Sequence, residues 1–201
     1  MKVAIIGTGK MGRGFAAALA PHHEVVLGSR DPANIGHFLR ATVAKAAKTY
    51  REAAARADVV ILTVPWEVLP ETVEAVGELR DKVVVDVSFP YKKADREQLL
   101  RHSSTGEALQ KLLPAARVYK GWNHVHWRHL TAPEVDGTAA SVLIAGDDQM
   151  GKDVVFALAR DMGFHPVDVG PLRSSRDLDR LVGTMLFIRL GPIRVLSHLA
   201  G

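Results

Sequence analysis

The amino-acid sequence predicts an α/β fold with a doubly wound parallel sheet, and three observations lead to this prediction. The apolar runs are continuous in Val, Ile and Leu, as in residues 58–64 (DVVILTV), which is typical of strands covered on both faces. These runs alternate with helix-length amphipathic segments, and this alternation favours right-handed crossovers between parallel strands. The first run also leads directly into a glycine-rich turn.

Strands and helices are predicted in alternation along the chain. The predicted strands are Val3–Ile6, Glu24–Leu27, Ala46–Thr49, Asp58–Val64, Lys82–Val87, Arg117–Tyr119, Ser141–Ala145 and Val167–Val169. The predicted helices are Met11–Leu19, Tyr50–Ala57, Glu67–Leu79, Thr105–Leu113, Lys152–Met162 and Arg176–Leu199. Pro192 is expected to bend or break the last helix, since proline removes a helical hydrogen bond.

The pattern changes in the last third of the chain, after a connection at Thr131–Gly137. We predict a larger nucleotide-binding domain over residues 1–137. A small C-terminal α/β extension over residues 138–201 ends in an apolar helix and supplies substrate contacts. Because a long apolar face must be covered, this helix predicts a homodimer.

Composition excludes several classes of function. The 201 residues contain no cysteine, which removes disulfides, cysteine nucleophiles and thiolate metal sites. The formal net charge of +4 suits small anionic molecules better than nucleic acid, which calls for a concentrated basic stripe. The apolar runs are too short for a membrane span or a secretory signal. We therefore predict a cytoplasmic protein with neither a nucleic-acid partner nor a membrane partner.

Residues 7–12 (GTGKMG) match the pattern GxGxxG between a predicted strand and a predicted helix. Gly7 permits the tight turn, Gly9 lets a pyrophosphate approach the backbone, and Gly12 allows close packing of helix on strand. The N–H groups at the start of the helix would bind the phosphates. This context favours a Rossmann-like dinucleotide-binding fold over a turn that binds no ligand.

The end of the second strand indicates which dinucleotide is bound. Gly28 is followed by Ser29 and Arg30, where NAD-binding folds carry a carboxylate for the ribose 2′-hydroxyl. A hydroxyl and a guanidinium would instead bind a 2′-phosphate, so we predict NADP(H). The alternative is that Ser29 caps the next helix and Arg30 is solvated, and capping is compatible with phosphate binding.

Two further segments end strands at the predicted cofactor cleft. Residues 63–66 (TVPW) follow the strongest strand, and residues 88–91 (SFPY) follow the next one. Trp66 is expected either on the nicotinamide side of the cleft or as a rim aromatic packed on the next helix. The cofactor-binding residues predicted from these motifs are Gly7, Thr8, Gly9, Lys10, Met11, Gly12, Ser29, Arg30, Thr63, Val64 and Pro65.

Residues 121–129 (GWNHVHWRH) are unusually rich in histidine and tryptophan. His124 and His126 are expected on one face of a strand, a spacing that can bind a metal. No second cluster completes such a site, so we predict no metal and favour a polar cleft wall or a subunit contact. Asn123 could donate a hydrogen bond into the cleft. The predicted substrate-cleft residues are Trp66, Phe89, Pro90, Asn123 and His124.

Other catalytic arrangements lack support in the sequence. Asp147 and Asp148 are adjacent and would point apart, so helix capping is the preferred interpretation. The sequence has no GxSxG elbow and no P-loop lysine, which argues against hydrolase and kinase functions.

Taken together, these motifs resemble a known family. The joint occurrence of residues 7–12, 28–30, 63–67, 146–148 and 168–176 (DVGPLRSSR) is similar to the NADPH-dependent deazaflavin reductases, the coenzyme F420:NADP oxidoreductases. The cytoplasmic reductase domain of the STEAP metalloreductases has a related fold. The resemblance implies direct hydride transfer between the nicotinamide C4 and the deazaflavin C5 in an interdomain cleft. Such a reaction requires positioning and no catalytic dyad.

The resemblance also implies roles for individual residues. NADP would be bound by Thr8, Gly9, Lys10, Met11, Ser29 and Arg30. The stacked rings would lie against Pro65, Trp66, Phe89 and Pro90.

The segment 121–128 departs from the family pattern, being more aromatic and richer in histidine. The acceptor could therefore be another flavin, a quinone, a metal chelate, a carbonyl or an imine. A carbonyl or imine acceptor needs a proton donor, and His124 or His126 would then be the candidate. A third possibility is a non-catalytic module that senses NADP.

Overall fold

The computed structural model of the chain describes residues 1–35 and 46–188. Over these residues an eight-stranded sheet carries helices on both faces, which confirms the predicted α/β fold. The strands are β1 (Lys2–Ile6), β2 (Glu24–Gly28), β3 (Ala46–Lys48), β4 (Val59–Leu62), β5 (Val83–Asp86), β6 (Arg117–Lys120), β9 (Ser141–Gly146) and β10 (His165–Asp168), with β7 (Glu134–Val135) and β8 (Thr138–Ala139) in a separate hairpin. The helices are α1 (Lys10–Leu19), α2 (Tyr50–Ala55), α3 (Leu69–Val76), α4 (Lys93–Leu99), α5 (Thr105–Leu112), α6 (Gln149–Asp161) and α7 (Ser175–Ile188).

The strands are arranged in the order β10-β9-β6-β5-β4-β1-β2-β3. All neighbouring pairs are parallel except β6 and β9, where Tyr119 is opposite Gly146 and Lys120 is opposite Ala145. The predicted parallel sheet therefore contains one antiparallel pair. The connection from β6 to β9 contains a hairpin and a 3₁₀ turn instead of a crossover α-helix, so the chain returns in the opposite direction.

Alternating residues of the central strands face two separate cores. Val3 and Ile5 of β1 pack with α1 and α6, while Ala4 and Ile6 pack with α2, α3 and α5. Because both faces are covered, apolar residues occupy every position of such a strand. This is the physical origin of the continuous runs in the sequence.

The sequence analysis missed helix α4 and the β7–β8 hairpin, and it predicted a strand where His124 and His126 lie in a loop. Helix α4 has no buried residue, so it lacks the apolar period that predicts a helix. The β7–β8 hairpin pairs only two residues on each side. Strand β6 ends at Lys120, and therefore His124 and His126 lie in the following loop and do not share a strand face.

Within the described residues, the apolar face of the final helix is partly covered. Helix α7 spans Ser175–Ile188, and Pro192 lies outside the described residues. On its apolar face Leu178, Val182 and Met185 are buried, and Leu178 packs against the C-terminal strand β9. This part of the face is covered by the chain itself. These contacts do not test the predicted homodimer, which stays a prediction.

The predicted boundary after residue 137 falls in the turn of the β7–β8 hairpin. The main sheet continues across it, since β6 pairs with β9, and the division into two domains stays a prediction. None of the helices among residues 1–35 and 46–188 has the length and hydropathy needed to cross a membrane.

Candidate nucleotide-binding site

The glycine loop joins β1 to α1 in a closely packed turn. Gly7 has a φ of +113°, a conformation that favours glycine, and its N–H donates to the Gly28 carbonyl at 3.1 Å. A Cβ atom at Gly12 would collide with the Gly7 carbonyl oxygen. Gly12 is therefore required for the helix to start this close to the strand.

Gly9 has a different environment. A Cβ atom at Gly9 would meet no atom of the described chain within 4 Å. Gly9 is also the N-cap of α1, and it has no side chain to accept from the first-turn N–H groups. Open space beside a helix N-terminus is the arrangement that binds phosphate.

Thr63 holds this loop in place from the next strand. Its hydroxyl donates to the Ile6 carbonyl at 2.9 Å and lies 3.3 Å from the Gly7 carbonyl. The Ile6 carbonyl also accepts from the Thr63 N–H at 2.9 Å, so both the backbone and the side chain of Thr63 bind the end of β1. Thr63 was predicted to bind cofactor, and its hydroxyl in the structure supports the loop that would do so.

A cavity of about 570 Å³ lies at the carboxyl ends of β1, β2 and β4. It brings together most of the predicted cofactor residues: Gly7, Thr8, Gly9, Ser29, Arg30, Thr63, Val64 and Pro65. The sequence analysis missed the remaining lining residues, which are Asp31, Ile35, Tyr50, Val68, Glu71, Thr72 and Ala75. Several of these come from α3, where no motif distinguishes them from other helix residues.

Ser29 and Arg30 lie at the end of β2, on the rim of this cavity. The Ser29 side chain accepts a hydrogen bond from the Asp31 N–H at 3.1 Å. This bond closes a local turn before the 3₁₀ helix Pro32–Ile35, and the capping of a helix by Ser29 stays a prediction. Burial raises the pKa of Tyr50, and the neighbouring Arg30 charge opposes that rise. A guanidinium, a serine and a tyrosine therefore surround one end of the cavity.

The other predicted cofactor residues do not line this cavity. Gly12 lies beneath the loop, where it contacts Gly7. Met11 packs on the core beside α1. The Lys10 ammonium lies 5.4 Å from the centroid of the Trp127 ring.

The predicted substrate-cleft residues are mostly buried. Trp66 begins a 3₁₀ turn and packs partly on the core. Phe89 is 2% exposed, and its ring contacts Tyr91 edge-on at 5.2 Å. Pro90 is also buried, so residues 88–90 form a fixed segment behind the cleft edge.

His124 and Asn123 are buried as well. The His124 Nε2 lies 3.4 Å from the Ser141 carbonyl and 3.5 Å from the Leu143 N–H. Burial lowers the pKa of His124 to about 4, so its imidazole is neutral around pH 7. Asn123 donates to Asp179 at 3.0 Å. Both side chains therefore contact neighbouring elements of the fold.

A buried charge cluster lies next to this segment, and the sequence analysis did not find it. The Lys120 ammonium donates to Asp86 at 2.8 Å and lies 3.5 Å from Asp179, and all three side chains are fully buried. Lys120 also donates to the Ser88 carbonyl and to the Thr105 hydroxyl. The only feature of the sequence that indicates this cluster is Asp86, because a charged residue is unusual inside a run of valines.

The cluster connects four elements at the substrate edge of the sheet. Asp86 ends β5, Lys120 ends β6, and Asp179 belongs to α7. Asp179 also accepts from the Thr105 N–H at the start of α5. Burial raises the pKa of Asp179, although Lys120 opposes the rise.

Ser88 has an unusual position in this arrangement. Its backbone N–H donates to Asp86 at 2.8 Å. Its hydroxyl is buried and has no hydrogen-bond partner within the described part of the chain. Buried hydroxyls are normally paired, so the Ser88 hydroxyl is an exception beside the charge cluster. The residues at positions 1–35 and 46–188 contain no group of three or more side chains suited to hold a metal ion.

Comparisons with known proteins connect this geometry to a family. A model of the family described as coenzyme F420-dependent NADP oxidoreductase matches residues 2–90. The F420-dependent NADP reductase of Methanocaldococcus jannaschii is 28% identical over 214 residues, covering 94% of this chain and 93% of that protein. The metalloreductase STEAP3 of Rattus norvegicus is 34% identical over 182 residues, covering 90% of this chain. The chain spans only 36% of that metalloreductase.

Comparison with solved structures leads to the same family. A protein from Arthrobacter sp. FB24 assigned as an F420-dependent NADP reductase superposes with a TM-score of 0.83 at 26% identity, covering 94% of this chain and 93% of that one. The resemblance to the F420-dependent NADP oxidoreductases is therefore confirmed. The predicted class, an NADP-dependent oxidoreductase, is confirmed with it. A reductive aminase from Aspergillus terreus has a TM-score of 0.70 at 18% identity, which shows the shared fold alone.

Replacing Arg30 with Ala is expected to raise the KM of this oxidoreductase for NADPH about ten- to a hundredfold, since a charged hydrogen bond to the 2′-phosphate is lost. The KM for NADH, which lacks that phosphate, should change little. Steady-state kinetics with both nucleotides measures the difference. Arg80→Ala, at an exposed arginine paired with Glu78, is the control. Equal changes for the two nucleotides would contradict the assignment.

Alanine at Gly9 and at Gly12 is expected to have opposite effects. Gly12→Ala should lower the free energy of unfolding by about 1–3 kcal/mol, because the added methyl overlaps the Gly7 carbonyl. Gly9→Ala should leave unfolding unchanged and weaken nucleotide binding, because its methyl occupies the open space beside the helix N-terminus. Urea denaturation and calorimetric titration with NADP⁺ separate the two effects. A Gly9→Ala protein with unaltered affinity would contradict the proposed phosphate position.

Replacing Lys120 with Met is expected to cost about 3–5 kcal/mol of unfolding free energy, because two buried carboxylates lose their cation. The triple change Lys120→Met, Asp86→Asn and Asp179→Asn should recover part of this loss. Lys93→Met, at an exposed i,i+4 pair, is the control and should stay within about 0.5 kcal/mol. Urea denaturation measures all three variants. Similar losses at Lys93 and Lys120 would contradict this account of the cluster.

Proposed function

We propose that this oxidoreductase transfers hydride directly between NADP(H) and a deazaflavin, coenzyme F420. The observation that carries the proposal is the cavity in which the glycine loop, Ser29 and Arg30 come together. The relatives named F420-dependent NADP reductase support the choice of acceptor, because the chain covers 93% and 89% of the lengths of two of them.

The proposed cleft has two halves along the sheet edge. The cavity at the ends of β1 and β2 takes the adenosine and its 2′-phosphate. Since the carboxyl ends of parallel strands lie along one edge, the nicotinamide and the second ring would occupy the ends of β4, β5 and β6. Pro65 and Trp66 would form one wall there. Phe89 and Pro90, being buried, would support the other wall from behind.

The chain's own residues would bind and orient the two rings. The nicotinamide and the deazaflavin supply the hydride chemistry when they are bound. Most of the rate enhancement would come from holding the two reacting carbons close together. The unpaired Ser88 hydroxyl is suited to a hydrogen bond with a polar group on one of the rings.

His124 and His126 fit this proposal, because hydride transfer between the two rings needs no side chain that donates a proton. His124 is neutral and buried, with a pKa of about 4. His126 is exposed, and burial together with nearby cations lowers its pKa from 6.5. Of the two histidines, His126 is the one accessible to a carbonyl or imine acceptor.

A second candidate is reduction of a metal chelate or of a flavin. The observation in its favour is the 34% identity to a metalloreductase.

A stopped-flow screen of NADPH oxidation tests the proposal. Oxidised deazaflavin should bleach rapidly, whereas ferric chelates, flavins, quinones and simple imines should react slowly. The rate should be nearly independent of pH between about 6 and 8, and His126→Ala should leave it unchanged, because no protein acid is involved.

Three results would contradict the proposal, and each has a specific meaning. Faster turnover of a chelate or flavin would favour the second candidate. A rate that falls as pH rises through the lowered pKa of His126, and loses this dependence in His126→Ala, would indicate a carbonyl or imine acceptor. NADP(H) binding without turnover of any acceptor would indicate a nucleotide-sensing module.

A further inference from the structure

A group of cationic and aromatic side chains lies on the surface beside the glycine loop. We call Lys10, His126, Trp127 and Arg128 the cationic patch. The Lys10 ammonium lies 5.4 Å from the centroid of the Trp127 ring, and the Arg128 guanidinium carbon lies 5.2 Å from it. The His126 ring is 5.5 Å from the same ring. Lys10, His126 and Arg128 are exposed, and Trp127 is half-buried.

The patch has no carboxylate counter-ion within residues 1–35 and 46–188. Neither Lys10 nor Arg128 takes part in any ion pair found there. The charges that act on the pKa of His126 come from Arg128, His129 and Lys10, and all of them lower it. Positive charges held together without an acid indicate an anionic ligand.

The patch is held rigidly on α1. Trp127 begins a 3₁₀ turn, Trp127–His129, which packs on that helix. A Cβ atom at Gly14 of α1 would lie 3.1 Å from the Leu130 Cβ and 3.3 Å from the Trp127 carbonyl oxygen. Glycine at this position therefore allows the turn to approach the helix closely.

The location of the patch distinguishes it from the NADP phosphate site. Ser29 and Arg30 line the cavity at the end of β2, and none of the patch residues lines that cavity. The segment that carries Trp127 follows β6, which lies on the other side of β1 and β4 in the sheet. The patch therefore adjoins the half of the cleft that the second substrate would occupy.

We propose that the cationic patch binds an anionic group, a phosphate or a carboxylate, on the side chain of the second redox substrate. This inference rests on the proposed function and extends it by assigning the acceptor to a chemical class. A guanidinium stacked on an indole keeps its planar fork free for paired hydrogen bonds to an oxyanion. Lys10 adds a second positive charge. Its ammonium group could bind the same anion without the paired hydrogen bonds that a guanidinium forms.

The test compares two acceptors that share a ring and differ in charge. 5-Deazaflavin mononucleotide carries a phosphate on its side chain, and 5-deazariboflavin does not. Arg128→Glu should raise the KM for the phosphorylated acceptor at least about tenfold, since attraction becomes repulsion. The KM values for 5-deazariboflavin and for NADPH should change less than about twofold. High salt should reduce the difference between the acceptors in the wild-type protein.

Arg160→Glu is the matched control. Arg160 is also an exposed arginine placed over an aromatic ring, with its guanidinium carbon 5.8 Å from the centroid of Phe156. It lies on α6, away from the patch, and the charge change is the same. All KM values of this variant should equal those of the wild type.

Two kinetic results would overturn the proposal. If Arg128→Glu changes the KM for both acceptors equally, or for neither, the patch does not bind the charged side chain. If the KM for NADPH rises in parallel, the patch binds the phosphates of the nucleotide instead.

Failure of the proposed function can be recognised separately. If the wild-type protein turns over neither acceptor, hydride transfer to deazaflavins is wrong. Calorimetric titration of the NADP⁺-bound protein with the two acceptors then still tests the patch. Tighter binding of the phosphorylated acceptor that is lost in Arg128→Glu would support it, and equal binding would overturn it.

Discussion

The part of the fold around the ends of β5 and β6 depends on one buried ammonium group. Lys120 has no exposure, and its charge is balanced by Asp86 and Asp179 from two other elements. A buried ion pair adds little net stability over apolar packing, yet removing one partner is costly because a charge remains unpaired. The interaction therefore acts mainly to fix geometry. It determines where β5, β6, α5 and α7 meet, and through the Ser88 carbonyl it fixes the start of the segment that follows β5.

The nucleotide side is built on a steric constraint instead. Gly12 allows α1 to start against the Gly7 carbonyl, and Thr63 holds the same turn by hydrogen bonds from β4. Such a site consists largely of backbone, so it tolerates many changes in the surrounding side chains. The same fold is accordingly found in a protein that is only 18% identical to this chain.

The same difference determines how much of the molecule the sequence could predict. The glycine loop and the pair Ser29 and Arg30 are local patterns, and the strand before each was predicted from its continuous apolar run. Lys120 and its partner Asp86 are 34 residues apart in the chain, so their pairing depends on strand order. The direction of the Phe89 and His124 side chains was also beyond prediction, because loop residues follow no period from which a buried face could be inferred.

The histidine-rich segment 121–129 has a buried part and an exposed part. His124 is buried, and burial keeps its imidazole neutral where it contacts the backbone of β9. Two residues later the chain emerges, and His126, Trp127 and Arg128 meet Lys10 of the glycine loop. The buried half anchors the loop to the sheet, and the anchored loop can then hold like charges close together without an acid between them. Holding such charges together costs free energy that an anionic ligand would return on binding.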